Sequence, residues 1–168
     1  PKEVIVEKDG KTNAISTDKI LVSVGRRAIT KNLGLESLSI ETDRRGVRVN
    51  EYMQTSHPHV YAAGDITGFS QLAHTAYREG EVAVNHILGN EERMDYRAIP
   101  AVVYTNPEVA GVGKTEEELT KQGIPYRVTK LPMAYSGRFV AENEQVNGIC
   151  KLILDEADHI IGCHMLGN

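Results

Sequence analysis

The segment Val60-Tyr61-Ala62-Ala63-Gly64-Asp65 ends an apolar run in a glycine and a carboxylate, and Leu72-Ala73-His74 follows at the start of a helical pattern. A buried strand that stops at Gly-Asp shortly before a helix builds a cradle at its carboxyl end, where α/β sheets place ligands. Gly64 has no side chain, so a ligand can approach the backbone there. Asp65 can accept hydrogen bonds from sugar-like hydroxyls. The free amides of Leu72, Ala73 and His74 lie at a helix N-terminus and favour negative charge on a bound group. A Gly-Asp pair by itself also closes ordinary turns; the spacing to the tripeptide gives it weight.

Other chemistries lack their residues. Neither G-x-G-x-x-G nor C-x-x-x-x-C occurs, which removes a dinucleotide fingerprint and a closely spaced redox dithiol. Cys150 and Cys163, thirteen positions apart, read as buried or half-buried free thiols in a cytoplasmic setting, without metal-ligand spacing. His57 and His59 flank Pro58 in a turn, which makes surface positions their default. His159 and His164 alternate with apolar neighbours, as on the polar face of a sheet. His74 suits either an acid-base role or packing and hydrogen bonding near a ligand. Arg26-Arg27 suits either a phosphate contact or a solvated pair, Tyr61 suits a core, and residues 135–139 suit an interface or a loop. The net charge is -4 and no basic run exceeds two residues, which disfavours nucleic acid as a partner. No apolar stretch nears the roughly 20 residues that span a bilayer, so no membrane partner is expected.

The elements that must position these residues are legible in outline. With 168 residues, 40% apolar and 25% charged, the chain has room for one globular domain or two incomplete ones. Residues 4–7 and 12–15 flank Asp9-Gly10, a hairpin signal. Residues 19–24 form a continuous apolar run ending at Gly25, the pattern of a strand buried on both faces. Residues 26–50 are loop-rich, with a short turn or helix around Leu33–Ile40 and a short strand at 46–49. Residues 60–63 suggest another buried strand. From 71 to 88 a helical period places Leu72, Ala73, Ala76, Gly80, Ala83, Val84 and Ile87 on one stripe, with Gly80 pressed on a neighbouring backbone. Gly89-Asn90 stops it. A charged linker at 91–97 marks the candidate boundary of a second, α+β unit with an antiparallel sheet. There Thr115-Glu116-Glu117-Glu118 is a capping box, Gly123 ends its helix, and strands run at 102–104, 109–112, 126–131, 148–154 and 160–165. The abrupt ends, without an initiating Met, read as those of a fragment.

These motifs together resemble the pyridine nucleotide-disulfide oxidoreductases, specifically their dihydrolipoamide dehydrogenase branch. The resemblance rests on Val24-Gly25-Arg26-Arg27, Lys31-Asn32-Leu33-Gly34-Leu35, the Gly64-Asp65 segment and Leu72-Ala73-His74. It continues through residues 99–110, from Ile99-Pro100 to Val109-Ala110, and through Val112-Gly113-Lys114-Thr115-Glu116. The Leu-Ala-His tripeptide separates that branch from glutathione reductase-like members. Ala28, Thr75 and Tyr77 depart from its pattern. The resemblance implies a mixed α/β and α+β fold. Residues 1–25 would end an NAD-binding domain, 26–95 would belong to the FAD-binding and central three-layer region, and 96–168 would begin an interface (dimerisation) domain. It implies FAD and NAD as cofactors, with Gly25, Gly64, Asp65, Leu72, Ala73 and His74 as cofactor-binding positions. Asp65 would hold a ribityl hydroxyl, and the helix N-terminus would face the pyrimidine edge of the flavin and stabilise its reduced, anionic form. It also implies NAD-linked oxidation of dihydrolipoamide through a redox disulfide and a catalytic His-Glu pair that lie outside these residues. The implied partners are a second copy and the lipoyl domains of a 2-oxo acid dehydrogenase or glycine cleavage complex. This chain alone would be inactive. A non-catalytic dimerisation piece and another disulfide reductase of the same superfamily are the alternatives.

Overall fold

The computed structural model describes residues 2–143 and 147–167. Its first element is the expected hairpin, β1 (Lys2–Lys8) and β2 (Lys11–Thr17), paired antiparallel from Lys2↔Thr17 to Lys8↔Lys11. Asp9 and Gly10 both take positive φ, 53° and 72°, so the turn has the twist that two-residue hairpins require. The two strands form a sheet of their own, and nearly every side chain on them is exposed.

The expected strand at residues 19–24 does not form. Leu21 is 91% exposed and Val24 90%. A doubly buried strand needs sheet neighbours on both edges, and among the described residues no strand lies beside this run. Residues 40–68 are instead a knot of turns joined by backbone bonds: Val47 N–H to Ile66 O, Asn50 N–H to Gln54 O, Thr55 N–H to Val60 O and Ala62 N–H to Met53 O. Two isolated bridges, Thr42↔Val47 and Gln54↔Tyr61, stand where strands at 46–49 and 60–63 were expected. Val60, Tyr61 and Ala62 are half-buried and Ala63 is exposed, because turns rather than a sheet surround them.

Helix α1 (Ala73–Ile87) matches the expected helix within two residues, and Gly89 at φ 88° follows its end. Its packed face is the predicted one only in part: Ala83 is buried and Ala76 and Gly80 are half-buried. Thr75, Glu79, Val82 and Ala83 are buried, whereas Val84 and Ile87 lie open. A Cβ at Gly80 would meet nothing within 4 Å, so this glycine presses on no backbone here. The predicted stripe contained only apolar residues and glycine, and so omitted Thr75 and Glu79, each of which finds a hydrogen-bond partner inside. Met53, Val82 and Ala83 form the core of this half, with Val49, Tyr61 and Met94 against it.

The linker is strapped across that helix. Arg78 pairs with Glu92, and Asn85 Nδ2 donates to Glu92 Oε2 at 2.6 Å. Met94 N–H donates to Glu51 O at 2.8 Å.

Beyond it β3 (Ala101–Val103), β4 (Val109–Gly113), β5 (Arg127–Pro132), β6 (Ile149–Leu154) and β7 (Ile160–Leu166) form one antiparallel sheet, ordered β3-β4-β7-β6-β5. Helix α2 (Glu116–Gln122) opens on the expected capping box: Thr115 Oγ1 accepts from Glu118 N–H, and the Glu118 carboxylate accepts from Thr115 N–H at 2.9 Å. Lys151 Nζ donates to Glu116 at 2.7 Å, which fixes α2 to the sheet face that also carries the fully buried Ile153. Helix α3 (Gly137–Glu142) occupies a stretch read as interface or loop; Ser136 Oγ caps it by accepting from Phe139 N–H. No helix is long and apolar enough to cross a membrane among the described residues.

Candidate functional site

At residues 64–67 the chain must leave the turn layer and reach the start of α1, and one glycine makes the corner. Gly64 sits at φ 83°, ψ −156°, a region essentially closed to other residues. Its carbonyl accepts from Thr67 N–H at 3.0 Å and from Thr67 Oγ1 at 2.9 Å, which closes the single 3-10 turn Asp65–Thr67. The corner packs on α1 so closely that a Cβ on Gly64 would touch that of Ala76 at 3.4 Å.

Asp65 therefore begins a short turn with its side chain exposed, and no hydrogen bond or ion pair holds its carboxylate among the described residues. The N-terminus of α1 is equally open. Leu72 is the N-cap and supplies no side-chain bond, and the first carbonyl-bound amide is that of Ala76, which donates to Leu72 O. The amides of residues 73–75 thus keep the unsatisfied character of a helix start. An acceptor-only carboxylate and a set of donor amides lie on two elements packed together. That set suits a ligand with hydroxyls and an electron-rich heteroatom.

The other expected positions divide. His74 Nε2 lies 2.9 Å from Pro100 O, and a carbonyl only accepts, so this nitrogen carries the proton. His74 thereby ties the helix start to the entry of β3. Gly25 is exposed, at φ 88°, with nothing within 4 Å of its missing side chain. Tyr61 Oη is 2.7 Å from His86 Nδ1, a core role as expected. His57 is half-buried with Nδ1 unpartnered, not a surface residue, whereas His59 is exposed. His159 Nδ1 meets Asp155 at 3.0 Å, and His164 lies opposite Gly111 and Lys151 in the sheet.

Sequence reading missed Glu79 and Tyr96. Glu79 is 0% exposed; its Oε2 accepts from Gly64 N–H at 2.5 Å and its Oε1 from Tyr96 O–H at 2.7 Å. Burial first, then the Glu79 contact, pushes the Tyr96 hydroxyl well above its ordinary value, so it stays a donor. The tyrosine ring stacks on Phe69 at 5.1 Å. The available signal was position: Glu79 is four residues after Thr75 and four before Ala83, on one helical face. Cys150 and Cys163 are free and lie on adjacent strands; burial and the neighbouring thiol raise the Cys163 pKa. A cleft of about 450 Å³ lies between the Asp95-to-Ala98 segment and the end of β4 with the start of β7. Its charged pair is internally satisfied: the Arg97 side-chain bond holds Asp95 at about 2. It offers no convergent free polar groups.

Two family profiles cover most of the chain. That of the pyridine nucleotide-disulphide oxidoreductases matches residues 2–80, and that of the pyridine nucleotide-disulphide oxidoreductase dimerisation domain matches 99–168. Mitochondrial dihydrolipoyl dehydrogenase of Homo sapiens is 44% identical over 160 residues, 94% of this chain and 31% of the relative. The Caenorhabditis elegans enzyme of the same name is 43% identical over 167 residues, 98% of this chain and 34% of its own. Among solved structures, LpdA from Mycobacterium tuberculosis superposes with a TM-score of 0.80 at 28% identity, covering 95% of this chain and 35% of that one. The HOCl-induced flavoprotein disulfide reductase RclA from Escherichia coli gives 0.76 at 25% identity, over 98% of this chain and 38% of that one. The chain spans about a third of the length of the curated relatives it matches.

Proposed function

We propose, for a chain that belongs to the pyridine nucleotide-disulphide oxidoreductase family, that it is part of an FAD-dependent dihydrolipoamide dehydrogenase and carries one wall of the flavin site. The supporting observation is the exposed Asp65 carboxylate, without a partner among the described residues, on a corner packed against the open N-terminus of α1. FAD fits these groups: Asp65 can accept from a ribityl hydroxyl, and the amides at 72–74 can face an electron-rich edge of the ring. Gly64 leaves the corner free of side-chain bulk. Gly25 is the least supported of the six positions, since a Cβ built on it would meet nothing within 4 Å.

Bound FAD would supply electron transfer between NAD and a disulfide that oxidises dihydrolipoamide. The residues of this chain bind and orient. Asp65 fixes a hydroxyl, the helix dipole stabilises negative charge, and His74, with its proton on Nε2, braces the helix start against Pro100. Residues 1–25 would complete an NAD-binding domain, 26–95 the central region, and 96–168 an interface domain through which two copies pair. The lipoyl domains of a 2-oxo acid dehydrogenase or glycine cleavage complex are the proposed substrate carriers. The two free thiols suit a reducing compartment such as the cytoplasm; the human and nematode relatives are named as mitochondrial.

The test is the visible spectrum of the full-length protein carrying these residues, beside its Asp65→Ala variant. Wild type should be yellow and should pass electrons from NADH to lipoamide. Loss of a hydrogen bond to a charged group is worth about 1.5–3 kcal/mol, so D65A should bind FAD about tenfold or more weakly. Its apoprotein should melt as wild type does, because the carboxylate has no partner among the described residues. A colourless wild-type dimer would instead make the molecule a non-catalytic interaction protein.

A further inference from the structure

The corner that presents Asp65 has no sheet to hold it, so something else must fix its shape. The described supports of Gly64 are Thr67, which accounts for its carbonyl, and Glu79, which accounts for its amide. Glu79 is wholly buried in α1, and its two oxygens face different segments of chain. Oε2 takes the amide immediately before Asp65, and Oε1 takes the hydroxyl of Tyr96 in the linker, whose backbone leads on to β3. Burying a carboxylate is costly unless both oxygens find donors. Here the donors come from the ligand-facing corner and from the approach to the second unit. A residue present only to fill the core would be apolar, as its neighbour Val82 is.

We propose that Glu79 is the positioning residue of this site: it locks the Gly64-Asp65 corner in the ligand-presenting shape and couples it, through Tyr96, to the antiparallel domain. This inference rests on the flavin-site reading and deepens it. Without the Oε2 contact the Gly64 amide loses its acceptor, the corner can rotate, and the Asp65 carboxylate is no longer aimed.

The experiment compares full-length wild type with Glu79→Ala, Glu79→Gln, Glu79→Asp and Val82→Ala. Its readouts are the FAD dissociation constant by flavin fluorescence, the visible circular dichroism of bound flavin, and the melting temperature of the apoprotein. An unsatisfied buried amide corresponds to roughly 5- to 150-fold in an equilibrium constant; E79A should therefore bind FAD at least about fivefold more weakly, with altered flavin dichroism. E79Q keeps an oxygen for Gly64 and an NH₂ that can donate to Tyr96 Oη, so it should stay within about threefold of wild type. V82A removes buried bulk from the same helix and should lower the apoprotein melting temperature while FAD affinity holds within about threefold. Unchanged affinity in E79A overturns the proposal, as does a V82A loss equal to that of E79A, since affinity would then only follow stability. If E79A does not fold, E79D decides: its carboxylate is withdrawn by one methylene from Gly64, so a tenfold loss supports the proposal and wild-type affinity overturns it. A wild-type protein that binds no FAD defeats the flavin reading itself, a result distinct from failure of the Glu79 variants alone.

Discussion

At the scale of single residues, the site depends on which polar groups are left free and which are buried and paired. Asp65 and Glu79 are both acidic, yet one is exposed without a partner among the described residues and the other is sealed with two donors. Their difference follows from placement, Asp65 on a turn and Glu79 on the packed face of a helix. Tyr96 titrates accordingly. Its pKa is raised in the folded chain by burial and by Glu79, while an unfolded tyrosine loses its proton near pH 10. Above about pH 10 the unfolded state therefore releases a proton that the folded state keeps. The Tyr96 contribution is fully present below that pH and is lost as pH rises beyond it. In thermal melts between pH 8 and 11, Tyr96→Phe should flatten the alkaline fall in stability relative to wild type. An identical slope in the variant would show that Tyr96 does not carry that dependence.

At the scale of elements, the local signals that predicted boundaries were those with a backbone mechanism. The Asp9-Gly10 turn, the stop after α1 and the Thr115 capping box each satisfy or redirect specific backbone groups, and each stands where it was read. Thr115→Ala should cost about 1 kcal/mol by removing an N-cap acceptor, visible as a lower midpoint in urea with an unchanged slope. Should the midpoint stay put, other contacts, such as the Lys151–Glu116 pair, hold α2 by themselves. Signals based on apolar content alone fared differently. The stripe on α1 was read from hydrophobicity, and the packed face turned out to contain Thr75 and Glu79.

At the scale of the whole molecule, the two halves differ in how far they close. The C-terminal half completes a five-stranded sheet with α2 against one face, because its pairings are all antiparallel and made within the described residues. The N-terminal half leaves residues 19–24 and the outer side of α1 bare. Substitutions at such exposed positions usually change stability by less than about 0.5 kcal/mol. Leu21→Ser with Val24→Ser should therefore leave the melting temperature of the 168-residue chain nearly unchanged while reducing its aggregation, followed by light scattering. A marked drop in melting temperature would place these residues in a core.

What the sequence determined by itself was what turns, caps and motifs carry. The hairpin, the length of α1, the capping box, the antiparallel domain and the mixed α/β family fold belong here, together with the Gly64-Asp65 corner before Leu72-Ala73-His74. Turns, caps and alternation act over a few residues, so their physics is complete in the local sequence. Only the tertiary structure decided which face of α1 packs and that residues 60–63 make one isolated bridge instead of a strand. It alone brought Glu79 to Gly64 across fifteen positions and to Tyr96 across seventeen. A buried carboxylate is chosen by its partners, and those partners meet only when the chain has folded.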